Sequence, residues 1–194
     1  MGFDELLFLF FATILINNFV LSKFLGICPF VGVSGRLSSA LGMGFAVTFV
    51  MTLTAIVSWL IYNAVLVPLG AEYLKIVAFI VVIASLVQLV EMYLKKFFPE
   101  LYRAFGIFLP MITTNCAIMG SALLIVDYDY GPIPAVIFGF AGGIGFTLAI
   151  TIMAGIREEL ETADIPKCMK GTAITLIVAG LLALAFMGFS GFGQ

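Results

Sequence analysis

The sequence predicts an all-α membrane protein in which six transmembrane helices form two inverted three-helix repeats. Composition, six long apolar segments and an internal repeat support this fold class. Hydrophobic residues make up 63% of the 194 residues and charged residues only 10%, whereas ordinary globular domains contain about 45–50% and about 25%. So few charges cannot cover a soluble surface, so we expect a lipid bilayer to surround the chain. The net charge of −2 gives no indication of nucleic-acid binding.

Six apolar segments approach or exceed the length of about 20 residues that a transmembrane helix needs. The predicted spans are 6–21 (continuing irregularly to 33), 39–67, 74–93, 101–126, 133–156 and 172–189. The loops between them are short, and none could form a separate soluble domain. We therefore expect residues 1–194 to form a single integral membrane domain.

The placement of lysine and arginine predicts the orientation, because cytoplasmic loops carry an excess of these residues. The first, third and fifth loops hold eight basic residues: Lys23, Arg36, Lys95, Lys96, Arg103, Arg157, Lys167 and Lys170. The second and fourth loops hold only Lys75. This asymmetry predicts that the odd loops are cytoplasmic and that both termini lie on the outer side of a bacterial inner membrane.

Comparison of the chain with itself reveals the internal repeat. A shift of 95 positions superposes identical residues, including Gly44 on Gly139 and Thr52 on Thr147, and a shift of 88 superposes Cys28 on Cys116. The two copies are approximately 1–98 and 99–194. Because each copy contains three spans, an odd number, the second copy must enter the membrane from the opposite side. The repeats are therefore predicted to be inverted.

Both repeat-related cysteines lie where helix-breaking residues interrupt an apolar span. Gly26 and Pro29 flank Cys28, and Pro110 precedes Cys116 by six residues. Proline removes a helix hydrogen bond, and glycine lets other groups approach the backbone. We therefore expect the first and fourth helices to be broken at the cysteine motifs. In inverted-repeat membrane proteins such helices form the functional site near the bilayer midplane.

The two thiols suggest half of a metal site. Iron–sulfur clusters usually need four ligands, mostly cysteine thiolates, and a second protein chain would have to supply the missing two. Residues 113–115 provide hydrogen-bond donors beside Cys116, and Asn17 and Asn18 lie a few turns before Cys28. Such donors influence reduction potential. The alternatives are that Cys28 and Cys116 are small buried hydrophobic residues at a tight helix contact, or that they form a structural disulfide. The third cysteine, Cys168, lies in a basic loop predicted to be cytoplasmic.

Several stretches resemble the RnfA/NqrE family of membrane subunits. The most specific is NNFVLSKFLGICPF at 17–30, and the others lie at 101–103, 106–110, 112–116, 154–158 and 185–191. Members of the family belong to the Rnf complex, an ion-translocating ferredoxin:NAD+ oxidoreductase, or to the sodium-pumping NADH:quinone oxidoreductase. The doubled asparagine and the Cys28-Pro29-Phe30 triplet favour the Rnf branch.

The resemblance implies a function that the composition alone could not indicate. In the Rnf branch this subunit pairs with an RnfE-like paralogue of opposite topology, and the four cysteines of the pair hold one [2Fe–2S] cluster. Carried over to this chain, Cys28 and Cys116 are two of those ligands. Electrons would pass between iron–sulfur and flavin subunits of the complex, and helix movement would gate Na+ or H+ passage. The subunit would have no catalytic activity alone.

Other functions remain open from the residues themselves. The chain could be the equivalent subunit of the sodium-pumping complex, a small inverted-repeat transporter with unliganded cysteines, or a scaffold for neighbouring subunits. The charged run 157–164 is expected to be solvated or to face a partner.

Overall fold

The computed structural model describes residues 3–70, 72–97, 109–164, 166 and 169–188, and every regular element within them is helical. The α-helices are α1 (Phe3–Phe11), α2 (Ile27–Val33), α3 (Leu37–Ile61), α4 (Val67–Leu69), α5 (Lys75–Phe97), α6 (Leu109–Thr113), α7 (Cys116–Asp127), α8 (Pro132–Thr162) and α9 (Thr172–Met187). Single π-helical segments follow α1 (Ala12–Ile16) and α3 (Tyr62–Leu66), and a 3-10 turn precedes α5 (Glu72–Leu74). The predicted helical class is confirmed. Cys168 and the 101–108 part of the fourth predicted span lie outside the described residues.

Four stretches within the described residues are long and apolar enough to cross a membrane. They are Leu37–Leu69, Glu72–Met92, Pro110–Asp127 and Pro132–Thr162, and they correspond to the second to fifth predicted spans. The helix at Thr172–Met187, within the sixth predicted span, is apolar but shorter. The length and composition of these helices suit a membrane protein, and the total of six spans stays a prediction.

Helices α3 and α8 form the centre of the bundle. In the most apolar window of α8, 56% of the residues are buried, against 17% in α5. The two central helices cross closely because glycines face the partner helix: a Cβ atom on Gly143 would lie 2.5 Å from the Cα of Thr48, and one on Gly139 would lie 2.6 Å from the Cβ of Ala55. Small residues allow membrane helices to approach in this way. The other elements pack around this pair.

The N-terminal segment packs against the first part of α8. The rings of Phe10 and Phe140 stack with centroids 6.4 Å apart, and the ring of Phe19 meets that of Phe138 edge-on at 5.5 Å. Further along, Arg157 near the end of α8 reaches α2. The 31 residues of α8 extend about 46 Å at 1.5 Å per residue. Helix α2 therefore lies toward the end of α8 that is remote from α1.

One basic residue lies away from the end of the bundle that the charge count assigned to it. Lys23 lines a cavity of about 100 Å³ with Tyr128 and Tyr130, which lie just before α8 begins. Arg36, the other basic residue assigned to the first loop, precedes α3 at the opposite end of α8. Lys23 therefore joins Lys75 in the smaller group, and the seven basic residues that the structure describes divide five to two. The excess on one side persists, and the predicted orientation stays a prediction.

Candidate functional site around Cys28 and Cys116

The side chain of Asn18 organises the non-helical backbone that precedes Cys28. Residues 17–26 lie outside any helix, and Asn18 is fully buried. Its Nδ2 donates to the carbonyl oxygens of Ile14 (3.1 Å) and Gly145 (2.8 Å), while its Oδ1 accepts a bond from the N–H of Val20 (3.0 Å). Non-helical backbone at membrane depth needs such partners because lipid supplies none. One amide side chain thus joins this segment to the middle of α8.

The chain turns into α2 through two residues with left-handed backbone angles. Phe24 has φ 55° and Gly26 has φ 81°. A Cβ atom on Gly26 would lie 2.9 Å from the Oδ1 of Asn115 and 3.1 Å from the Cβ of Ala117. Only glycine combines this backbone conformation with so close an approach. Cys28 follows in the first turn of α2, so the segment carrying the first cysteine touches the segment carrying the second.

Asn115 begins the helix that carries the second cysteine. Its Oδ1 accepts a hydrogen bond from the N–H of Ala117 at 2.9 Å, which is the usual N-cap arrangement. Cys116 is the first residue of that helix. The Nδ2 of Asn115 is buried and makes no hydrogen bond within the described chain. A buried amide N–H without a partner is unusual, and here it belongs to the residue next to a free thiol.

Two further contacts join the cysteine segments. A Cβ atom on Gly32 of α2 would lie 3.0 Å from the Cε of Met111 in α6, and one on Gly120 of α7 would lie 2.5 Å from the Cδ1 of Leu25. Contacts before and after each cysteine therefore hold the two segments together.

The exposure and bonding of the two thiols do not match two alternatives that the sequence left open, a buried apolar role and a structural disulfide. Cys28 and Cys116 are both free and exposed on the described chain. They are therefore not buried apolar residues within this chain, and they form no disulfide in this structure. Exposed thiols on two contacting segments are available to a ligand or to a second chain.

The donor set fits part of an iron–sulfur site. The described residues contain no group of three or more histidine, cysteine, aspartate or glutamate side chains that could hold a metal ion. Soft thiolate ligands select metals such as those of iron–sulfur clusters. Cys28 and Cys116 thus supply the right chemistry but only two of the usual four ligands.

Sequence reasoning missed the anchoring role of Arg157 and Glu158. They were expected to face solvent or a partner, but they bind the turn between α2 and α3. The Nη1 of Arg157 donates to the carbonyl of Val31 (2.8 Å) and to the Oγ of Ser34 (2.9 Å), and Glu158 accepts a bond from the N–H of Leu37 (2.8 Å). The available signal was an arginine at the point where a long apolar helix becomes charged.

Comparison with known proteins identifies the family. The family model described as "Rnf-Nqr subunit, membrane protein" matches residues 6–192. Two proteins named as the A component of an ion-translocating oxidoreductase complex, from Erwinia tasmaniensis and Shigella flexneri, are each 54% identical over 187 residues, covering 96% of this chain and 97% of theirs. The protein named as the corresponding component of the Na(+)-translocating ferredoxin:NAD(+) oxidoreductase complex of Acetobacterium woodii is 53% identical over 186 residues, with the same coverage. The chain therefore belongs to the Rnf-Nqr family of membrane subunits.

Proposed function

We propose that this chain is the RnfA component of an Rnf-type complex, which couples electron transfer between ferredoxin and NAD+ to the translocation of Na+ or H+. The similarity to proteins named as that component, at 53–54% identity across 96% of the chain, supports this assignment. It favours the Rnf complex over the sodium-pumping NADH:quinone oxidoreductase. The chain contributes to the reaction of the assembled complex and is not catalytic alone. Iron–sulfur and flavin subunits are its proposed electron-transfer partners.

Within that complex, Cys28 and Cys116 are proposed as two of the four ligands of a [2Fe–2S] cluster, with an RnfE-like paralogous subunit supplying the others. The observation that carries this proposal is the contact of Gly26 with Asn115, which brings the two cysteine segments together. The exposure of both thiols supports a shared site. When bound, such a cluster supplies one-electron transfer. The unpartnered N–H of Asn115 would be available to stabilise negative charge nearby.

The inverted repeat is part of the proposal, and the contacts between α3 and α8 support it. Gly44 lies against Thr147, and the residues related to them by the 95-position shift, Gly139 and Thr52, also lie together. A two-fold axis relating the repeats would produce such reciprocal pairs. The six spans, the broken first and fourth helices and the outer location of both termini belong to the same proposal.

We further propose that the broken segments help to gate ion passage. If the two thiolates hold a cluster, its reduction would add negative charge at this site. That charge would interact strongly with a nearby cation, because charges interact strongly in a low-dielectric site. Residues 17–26 depend on side-chain hydrogen bonds from Asn18, so a small displacement there would not have to break a continuous helix. Movement of this segment would couple the charge at Cys28 to the passage of Na+ or H+.

Single cysteine substitutions in the purified complex test the ligand assignment. We expect Cys28→Ala and Cys116→Ala each to remove about two iron atoms per complex, together with the matching EPR signal. Cys168→Ala is the matched control, because it removes the chain's remaining thiol, and it should keep the wild-type iron content. If either Cys28→Ala or Cys116→Ala keeps all of its iron, the assignment is wrong. Ion transport by the chain alone in liposomes would favour the transporter alternative.

A further inference from the structure

Helix α2, which carries Cys28, has few internal hydrogen bonds and depends on anchors from elsewhere. It contains seven residues, and the carbonyls of a helix's last turn have no partner inside the helix. The Nη1 of Arg157 donates to one of these carbonyls, that of Val31, at 2.8 Å. The same nitrogen donates to the Oγ of the fully buried Ser34 at 2.9 Å. One guanidinium therefore holds the C-terminal end of α2.

The next residue of α8 holds the far side of the same turn. The Oε1 of Glu158 accepts a hydrogen bond from the N–H of Leu37, the first residue of α3, at 2.8 Å. At the other end of α2, Gly26 packs against Asn115 beside the second cysteine. Helix α2 is thus fixed at one end to the Cys116 segment and at the other end to α8.

We infer that Arg157 is a positioning residue that sets the location of the Cys28 thiol relative to that of Cys116. The inference rests on the proposed function, because a fixed position of the Cys28 thiol matters for a metal site that both cysteines help to form. Val31 lies one helical turn after Cys28, so a bond to its carbonyl restrains the turn that carries the thiol. Both acceptors of Arg157 are neutral groups, so these bonds restrain α2 without cancelling the positive charge.

Spin labelling measures the relative position of the thiols without any cluster. Nitroxides are attached to Cys28 and Cys116 in the full chain with Cys168→Ser, free of iron and in lipid nanodiscs, and EPR gives the distribution of distances between them. We expect Arg157→Gln to widen this distribution about twofold, because the end of α2 loses its anchor. Arg157→Lys should widen the distribution less than Arg157→Gln does, since lysine keeps the charge and a hydrogen-bond donor. Ser34→Ala, which removes one acceptor and adds no bulk, should widen the distribution less.

Arg36→Gln is the matched control. Arg36 is exposed beside the same turn, so its loss removes the same charge from the same end of the bundle, and the distance distribution should not change. A wild-type distribution in Arg157→Gln would overturn the inference.

Iron content in the complex tests the functional use of that position. We expect Arg157→Gln complexes to lose about half or more of the iron assigned to this site, and Arg157→Lys complexes to lose less. Wild-type iron in Arg157→Gln complexes would overturn the inference, whatever the distance distribution. Failure of the proposed function has a different signature, namely wild-type iron in the Cys28→Ala complex. The two failures are therefore distinguishable.

Discussion

The hydroxyl oxygens of Thr48 and Thr147 lie 3.1 Å apart where α3 crosses α8. Each hydroxyl also lies within hydrogen-bond distance of the carbonyl four residues earlier in its own helix, Thr48 of Gly44 at 2.8 Å and Thr147 of Gly143 at 2.9 Å. The two hydroxyl protons serve these three contacts, so two of the three are hydrogen bonds at any moment. The pair is therefore satisfied at the centre of the bundle without any charged group. These carbonyls belong to Gly44 and Gly143, which have no side chains. A larger residue at either position would meet the opposite threonine and keep the two hydroxyls apart.

Replacement of Gly143 by alanine should weaken the bundle at this crossing. The new methyl group would lie 2.5 Å from the Cα of Thr48, and a backbone atom can move away only if the whole helix shifts. We expect the free energy of unfolding to fall by about 2 kcal/mol, measured by thermal unfolding of the chain in detergent.

Gly155→Ala is the control for that substitution. Gly155 lies in the same helix, and an added Cβ would meet nothing within 4 Å. Its substitution should leave stability unchanged or raise it by up to about 1 kcal/mol through helix propensity. Equal losses for Gly143→Ala and Gly155→Ala would show that the crossing is not tight.

The central crossing could be anticipated from the sequence, whereas the cysteine site could be anticipated only in part. The 95-position shift aligned Gly44 with Gly139 and Thr52 with Thr147, and these four residues meet between α3 and α8. Such regularity is visible because the residues that pack together recur at one constant spacing. The breaker residues around Cys28 predicted a helix broken at the cysteine motif, and that break stays a prediction, although residues 17–26 lie outside any helix.

The bonds that hold the cysteine segments had no comparable signal. Asn18 bonds the carbonyl of Gly145, 127 positions away, and Arg157 bonds that of Val31, 126 positions away. Every residue has the same backbone carbonyl, so no pattern of side chains in the sequence identifies which carbonyl will accept a bond. The exposure of the thiols was also hidden, because an apolar segment gives the same composition whether it faces lipid, its own chain or a partner.

Substitution of Asn18 by leucine should destabilise the segment before Cys28. Leucine has a similar volume but cannot bond the Gly145 carbonyl or the Val20 N–H. The Val20 N–H would therefore be buried without a partner, and the Gly145 carbonyl would keep only the bond within its own helix. We expect the free energy of unfolding to fall by about 2–4 kcal/mol, again from thermal unfolding in detergent. The iron content of the complex should fall as well.

The control for Asn18→Leu is Asn17→Leu. Asn17 precedes Asn18 directly but is exposed, so the same chemical change should alter stability by less than about 0.5 kcal/mol. A small effect at both positions would mean that the Asn18 bonds do not hold the segment.

Phe24 is expected to be a contact residue for the partner subunit. It adopts a left-handed backbone conformation, with φ 55°, which costs a bulky residue about 1–2 kcal/mol. Its side chain is nevertheless 60% exposed on this chain, so the chain alone gains little from the ring. It lies four residues before the exposed Cys28, at the surface where we propose that the second subunit supplies its ligands. A strained and exposed aromatic residue at that place is best explained by a contact that forms only on assembly.

Phe24→Ala should therefore weaken assembly without changing the stability of the isolated chain. Buried aromatic residues often contribute about 2 kcal/mol or more at interfaces, so we expect the affinity for the rest of the complex to fall by about tenfold or more. The readout is the fraction of the chain that co-migrates with the complex on native gels. Phe45→Ala is the matched control, because Phe45 is 70% exposed on α3 and should face lipid. Equal assembly of the two variants would place the partner surface elsewhere, because the larger loss is expected only where a second chain covers the ring.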